Sequence, residues 1–224
     1  DYPFSVVSHE MAHQWWAHQV IGANVKGATL LSESLSEYGS LKVVEKEYGK
    51  FQMRKFLKEA LDSYLQGRTW EWKEENPLMY NENQQYIHYN KGSLVLYTMS
   101  DYMGEKQFND VLKAFVADKK FQEAPYTNSI EFVEHLKAHT PSHLQYLIYD
   151  MFETITLYDN KVDKVEVKAL DNGKYQVDLT FNVSKYRSTP KGEQLFNDGN
   201  GKTLGAKING KVVKSLPLND YVEV

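Results

Sequence analysis

The stretch His9-Glu10-Met11-Ala12-His13, followed by Gln14-Trp15-Trp16, constrains this chain more than any other. Two histidines four residues apart fall on one face of a helix, close enough to share a metal ion, and Glu10 projects beside them. Zinc held by two imidazoles and one carboxylate keeps its fourth position for water and brings the pKa of that water to about 7. A neighbouring Glu can then take the proton as the water attacks a carbonyl. His9 and His13 are therefore read as metal ligands and Glu10 as the general base. Taken alone, the motif also fits two surface histidines on an amphipathic helix.

A third ligand is required, and the chain supplies it. Nineteen residues separate His13 from Glu33, which lies in a segment where Leu31, Leu35, Tyr38 and Leu41 recur at helical spacing. A second helix folded back on the first would aim Glu33 at the metal. Glu37, one turn later, competes for the role and reads more simply as a solvated carboxylate.

These residues, with the later Tyr89-Asn90-Lys91-Gly92, resemble the aminopeptidase N family of zinc peptidases, whose catalytic domain is thermolysin-like. The resemblance implies one zinc ion per chain on His9, His13 and Glu33, a peptide substrate, and Tyr89 as the donor to the oxyanion of the tetrahedral intermediate. Three features depart from the family pattern. The spacing from His13 to Glu33 is one residue longer than usual, the usual Asn-Glu-Gly is Ser32-Glu33-Ser34, and Ala28 stands where an Asp often supports a ligand histidine. The segment Gly-x-Met-Glu-Asn, with which the family reads a free α-amine, does not occur, so exopeptidase action rests on the resemblance. The stretches AHQVIGANVKGATLLSESLSEY (17–38) and HTPSHLQYLIYDMFETITLYDNKV (139–162) are similar to the peptidase domain that some bacterial ABC-type permease proteins carry after their membrane spans.

Composition bounds the remaining choices. A net charge of −4 without a basic run argues against nucleic acid as a main partner. With no Cys, disulfides, Cys-bound zinc and thiol catalysis are excluded. No stretch reaches the roughly 18 apolar residues that cross a bilayer, and no signal-peptide pattern opens the chain. Because the sequence starts almost at the motif and ends in what reads as the start of a strand at Leu218–Val224, it is expected to be a piece of a longer protein, and the resemblance implies that it is a soluble domain of a bacterial membrane protein, facing an undetermined side.

In chain order, a helix over about 1–21 carries the motif, with Trp15 and Trp16 as core anchors and His18 structural or exposed. The helix bearing Glu33 runs to Tyr48, and a third, outlined by Phe51, Phe56, Ala60, Leu61 and Tyr64, ends near Gly67. Between Arg68 and Tyr89 the periodicity breaks, and Trp70 and Trp72 either line a cleft or pin a loop. His88 is set aside as a ligand, since a fourth protein donor would close zinc to water. Further helices bury Leu94, Val95, Thr98, Met99 and Tyr102, then Phe108, Val111, Leu112 and Phe115, then Phe132, Val133 and Leu136 behind an Asn128/Glu131 capping pair. A last helix opens at Thr140-Pro141 with Leu144, Leu147, Ile148 and Met151 inward, and His135, His139 and His143 read as solvated helical residues.

Near Tyr158 the period changes to two. Val162, Val165 and Val167 face Tyr175, Val177, Leu179 and Phe181 across the turn signal Asp171-Asn172-Gly173. A loop at Asn197–Gly201, a short strand at Ala206–Ile208 and a turn at Asn209-Gly210 follow.

The expected architecture is α+β: a mainly helical, thermolysin-like zinc-peptidase segment over 1–157, then a small β-sandwich-like domain over 158–224. The expected activity is zinc-dependent peptide hydrolysis, continuous with missing N-terminal peptidase and membrane-spanning segments. The alternative is a catalytically silent zinc-binding or interaction module of a transporter-associated protein.

Overall fold

Helical periodicity in the first two thirds of the sequence becomes seven α-helices among the described residues of the computed structural model, which describes residues 3–196, 206–208 and 211–221. The chain divides into two compact units, Asp1–Ile155 and Thr156–Val224. None of the described helices is long and apolar enough to cross a membrane.

In the first unit α1 (Pro3–Ala12) packs along α2 (Leu35–Tyr48), which a π-helical turn, Leu30–Ser34, precedes without a break. α3 (Lys50–Trp70) follows, and a second π-helical turn, Tyr86–Lys91, leads directly into α4 (Gly92–Met103). α5 (Glu105–Lys119), α6 (Ser129–His139) and the short α7 (Gln145–Ile148) complete the unit. Its core is aliphatic and aromatic: Leu30, Leu35, Leu96 and Met99 are fully enclosed, and Phe115 meets Phe132 edge-on at 5.1 Å between ring centres. Each such side chain contributes about 1.5–3 kcal/mol through burial. Asn128 caps α6 by accepting from the Glu131 backbone N–H (3.0 Å), as the sequence pair indicates.

Several expectations are corrected here. The first helix stops at Ala12 rather than near Ile21, because Ala17 takes a φ of 117° and Val20 N bonds the Trp15 carbonyl outside any helical ladder. Only Trp16 is a core anchor; Trp15 is 48% exposed. Trp70 and Trp72, more than four-fifths exposed, pin no loop. The third helix passes through Gly67, where a Cβ would come within 2.3 Å of the Tyr86 side chain. That glycine allows a close approach and does not end the helix. The buried stripe of α4 is Val95, Leu96, Met99 and Met103, turned slightly from the expected one.

The second unit is built on a long antiparallel hairpin, β1 (Thr156–Ala169) and β2 (Tyr175–Ser188), extended at one edge by β3 (Gln194–Leu195). The turn places Gly173 at φ 72°, a conformation that suits glycine. A bulge between Val162 and Lys164 accounts for the three-residue spacing from Val162 to Val165. It keeps Val162, Val165 and Val167 opposite Phe181, Leu179 and Val177 on one face. β4 (Ala206–Ile208) pairs with β5 (Lys211–Val213) as a separate two-stranded sheet. The segment after β5 is irregular through Tyr221 and docks on β2, with Lys185 buried in an ion pair with Asp220 (3.0 Å) and Leu216 N bonding the Lys185 carbonyl (2.7 Å). The expected loop at Asn197–Gly201, the turn at Asn209-Gly210 and the last residues of the expected terminal strand lie outside the described residues.

Candidate metal centre

The two histidines keep their helical relation just past the end of α1, since His13 N donates to the His9 carbonyl at 3.3 Å. Glu33 arrives from the π-helical turn before α2, with its Oε2 3.4 Å from His9 Nε2 and 3.7 Å from His13 Nε2. Donor atoms of these three residues lie within 4.8 Å of one another, the one such convergence of three or more metal-capable side chains among the described residues. Tetrahedral zinc with bonds of roughly 2.1 Å places its donors about 3.4 Å apart, so the donor set and its spacing fit that ion. His135 is occupied elsewhere, its Nε2 donating to the Val111 carbonyl (2.9 Å), while His139, His143 and His18 are exposed.

Both imidazoles are held by their far nitrogens. His9 Nδ1 lies 2.7 Å from Glu37 Oε2, and His13 Nδ1 lies 2.9 Å from the Trp16 carbonyl and 3.0 Å from Ser36 Oγ. A carboxylate and a carbonyl can only accept, so Nδ1 carries the proton in each ring and Nε2 faces Glu33. The break after Ala12 serves this arrangement, because it frees the Trp16 carbonyl from any helical partner.

Charge in the cluster is strongly coupled. Burial opposes a proton on His9, yet its hydrogen bonds to Glu33 and Glu37 raise its pKa to about 9. The hydrogen bond from His9 lowers Glu33 to about 2 against the effect of burial, with help from the Tyr89 hydroxyl. Burial, then the hydrogen bond to Glu33, raises Tyr89 to about 12, so its hydroxyl keeps its proton at neutral pH.

Tyr89 occupies the second π-helical turn, its ring centre 5.7 Å from that of His9. The two π-helical turns are joined directly, for Ser34 Oγ donates to the His88 carbonyl at 2.6 Å. Gly92 makes that contact possible: a Cβ there would stand 2.2 Å from Ser34 Oγ. The Ser that replaces the usual Gly after Glu33 thus ties the Glu33 turn to the Tyr89 turn. His88 itself is buried and neutral. Asn81 Oδ1 accepts from Gln84 N (3.1 Å), which turns Asn81 Nδ2 toward His88 Nδ1 (3.1 Å), and burial pushes the imidazole down to about 4.

Sequence reasoning missed the network that fixes this second turn. Glu75 Oε1 accepts from Tyr64 (2.7 Å) and from Lys91 (3.3 Å), while its Oε2 accepts from Arg68 Nε, all in a buried pocket between α3 and the turn. Lys91 sits within the recognised Tyr89-Asn90-Lys91-Gly92 motif, and that was the one available signal.

The family model "Peptidase family M1 domain" matches residues 2–154. Among solved structures, an M1 zinc metallopeptidase from Deinococcus radiodurans is similar at 22% identity and a TM-score of 0.50, over 64% of this chain and 31% of that one. A Glu-to-Ala mutant of an M1 zinc metallopeptidase from Deinococcus radiodurans, bound to a Tyr-Ser-Ala substrate, is similar at 20% identity and a TM-score of 0.51, over 66% and 32%. The chain therefore spans about a third of the length of the solved structures it matches. No curated protein sequence matches it.

Proposed function

The chain belongs to peptidase family M1, and from that premise we propose that it is the metal-binding part of a zinc-dependent peptide hydrolase, acting as a metallo-aminopeptidase. The observation that carries the reading is the convergence of His9 Nε2, His13 Nε2 and Glu33 Oε2 at the spacing zinc requires. When bound there, zinc polarises a carbonyl and acidifies water.

The chain's own residues supply the rest. Glu10, exposed beside the histidines, accepts the proton of the attacking water and passes it toward the leaving amine. Tyr89, protonated at neutral pH, exchanges its hydrogen bond to Glu33 for one to the oxyanion that develops on the scissile carbonyl. The preference for a free N-terminus, and a parent protein anchored in a bacterial membrane, extend this proposal on the strength of sequence resemblance.

Peptide turnover by the complete polypeptide in which this chain occurs tests the reading. Glu10→Gln is expected to keep one zinc per chain and lower kcat by roughly 10²–10⁴-fold. Tyr89→Phe is expected to lower kcat about 10²-fold, again with zinc retained. The isolated chain is expected to turn peptides over weakly. Undiminished turnover by the Glu10 variant would reject Glu10 as the general base, and zinc without any turnover by the complete polypeptide would reject hydrolysis and leave a binding module in its place.

A further inference from the structure

We propose that Glu37 is the positioning residue for His9, an anionic acceptor that fixes the ring and presents its Nε2 to the metal. The inference rests on the zinc-site reading above. Glu33 and Glu37 stand one helical turn apart and reach the same imidazole from opposite sides: Glu33 Oε2 is 3.4 Å from Nε2 and Glu37 Oε2 is 2.7 Å from Nδ1. A carboxylate on Nδ1 cannot also share the space at Nε2, so Glu37 holds the ligand without being one.

The contrast with His13 gives this contact its meaning. His13 Nδ1 meets a neutral carbonyl and a hydroxyl, whereas His9 Nδ1 meets a carboxylate that is about a quarter exposed. An anionic partner locks the tautomer more firmly and increases the electron density that Nε2 offers, which strengthens its bond to a cation. The spacing also explains how one short stretch does both jobs. The π-helical turn ending at Ser34 sets the direction of Glu33, and Glu37, in the first turn of α2, comes back over the far edge of the ring.

Zinc affinity measured by competition with a chromophoric chelator, on the full chain, tests this for the unsubstituted protein, Glu37→Ala, Glu37→Gln and Glu33→Ala. Glu37→Ala is expected to weaken binding about 10–100-fold. Glu37→Gln keeps an acceptor oxygen at Nδ1 without the charge and is expected to fall between it and the unsubstituted protein. The absorption bands of the cobalt-substituted protein are expected to keep their four-coordinate intensity and to shift in wavelength in both Glu37 variants, a change that a purely structural role would not produce. Glu33→Ala is expected to lose the ion and its spectrum. Unaltered affinity and spectrum in Glu37→Ala would overturn the positioning role alone, and a loss of four-coordinate intensity would make Glu37 a ligand and overturn it as well. Failure of the unsubstituted chain to bind zinc would overturn the zinc site itself, and this inference with it.

Discussion

Glu75→Ala is expected to lower the stability of the helical unit by about 3–5 kcal/mol, the range found when one partner of a buried ion pair is removed. Glu75 is 4% exposed, and its two oxygens take hydrogen bonds from Tyr64, Arg68 and Lys91. One carboxylate thus neutralises part of two cations, of which Lys91 is 5% exposed. Burial already lowers the pKa of Lys91 in spite of Glu75, and without the carboxylate the ammonium keeps the desolvation penalty and loses its compensation. For a unit of this size each kcal/mol moves Tm by roughly 2–4 °C, so thermal unfolding followed by circular dichroism should show a drop of about 10 °C. A shift below about 2 °C would mean that the network contributes little. The consequence reaches the site, because Lys91 and Tyr89 share one π-helical turn.

How much of this was legible in the sequence depends on whether the partners of a residue are set by spacing or by tertiary crossing. His9 and His13 are read correctly as neighbours because four residues make one helical turn, and that relation survives even though α1 ends at Ala12. The distance of Glu33 from the motif marks it as a candidate, yet the reason it reaches His9 is a π-helical turn, which no residue pattern announces. Glu37 reads as a solvated carboxylate for the same reason: its partner is 28 residues away in sequence. Glu75 lies in a stretch without periodicity, and nothing local marks it as buried.

Glycine and tryptophan misled in opposite ways. Gly67 carries the signature of a helix stop, but Tyr86 packs against it from outside the helix, so its meaning is set by a neighbour 19 residues on. Trp15 reads as a core residue by its hydrophobicity, which does not decide burial for a single large side chain. In the second unit the pattern was more informative than it looked. The step from Val162 to Val165 breaks strict alternation, and the bulge that absorbs the extra residue is what lets three directly opposed pairs share a face.

Zinc uptake by the metal-free chain is expected to release about one proton at neutral pH, and its affinity to rise with pH up to about 9. In the absence of metal, His9 is protonated at both nitrogens, donating from Nδ1 to Glu37 and from Nε2 to Glu33, and zinc takes the place of the Nε2 proton. The same protonation has a signature in stability. His9 is raised from 6.5 to about 9 on folding, so its contribution is fully present below pH 6.5 and is lost as pH rises through 9. Glu33 is lowered from 4.5 to about 2, so its contribution is present above pH 4.5 and is lost as pH falls through 2. The two share the His9–Glu33 contact, so they are not to be added; each is on the order of 2–3 kcal/mol. The Tm of the metal-free chain should therefore fall between pH 6.5 and 9, and Glu33→Ala should flatten most of that slope while reducing zinc binding by more than 100-fold, beyond what loss of a supporting partner causes. Isothermal titration of zinc in buffers of differing ionisation enthalpy measures the proton release. Uptake without a released proton at pH 7 would mean that His9 is already neutral there, with its single N–H donated to Glu37 and none to Glu33.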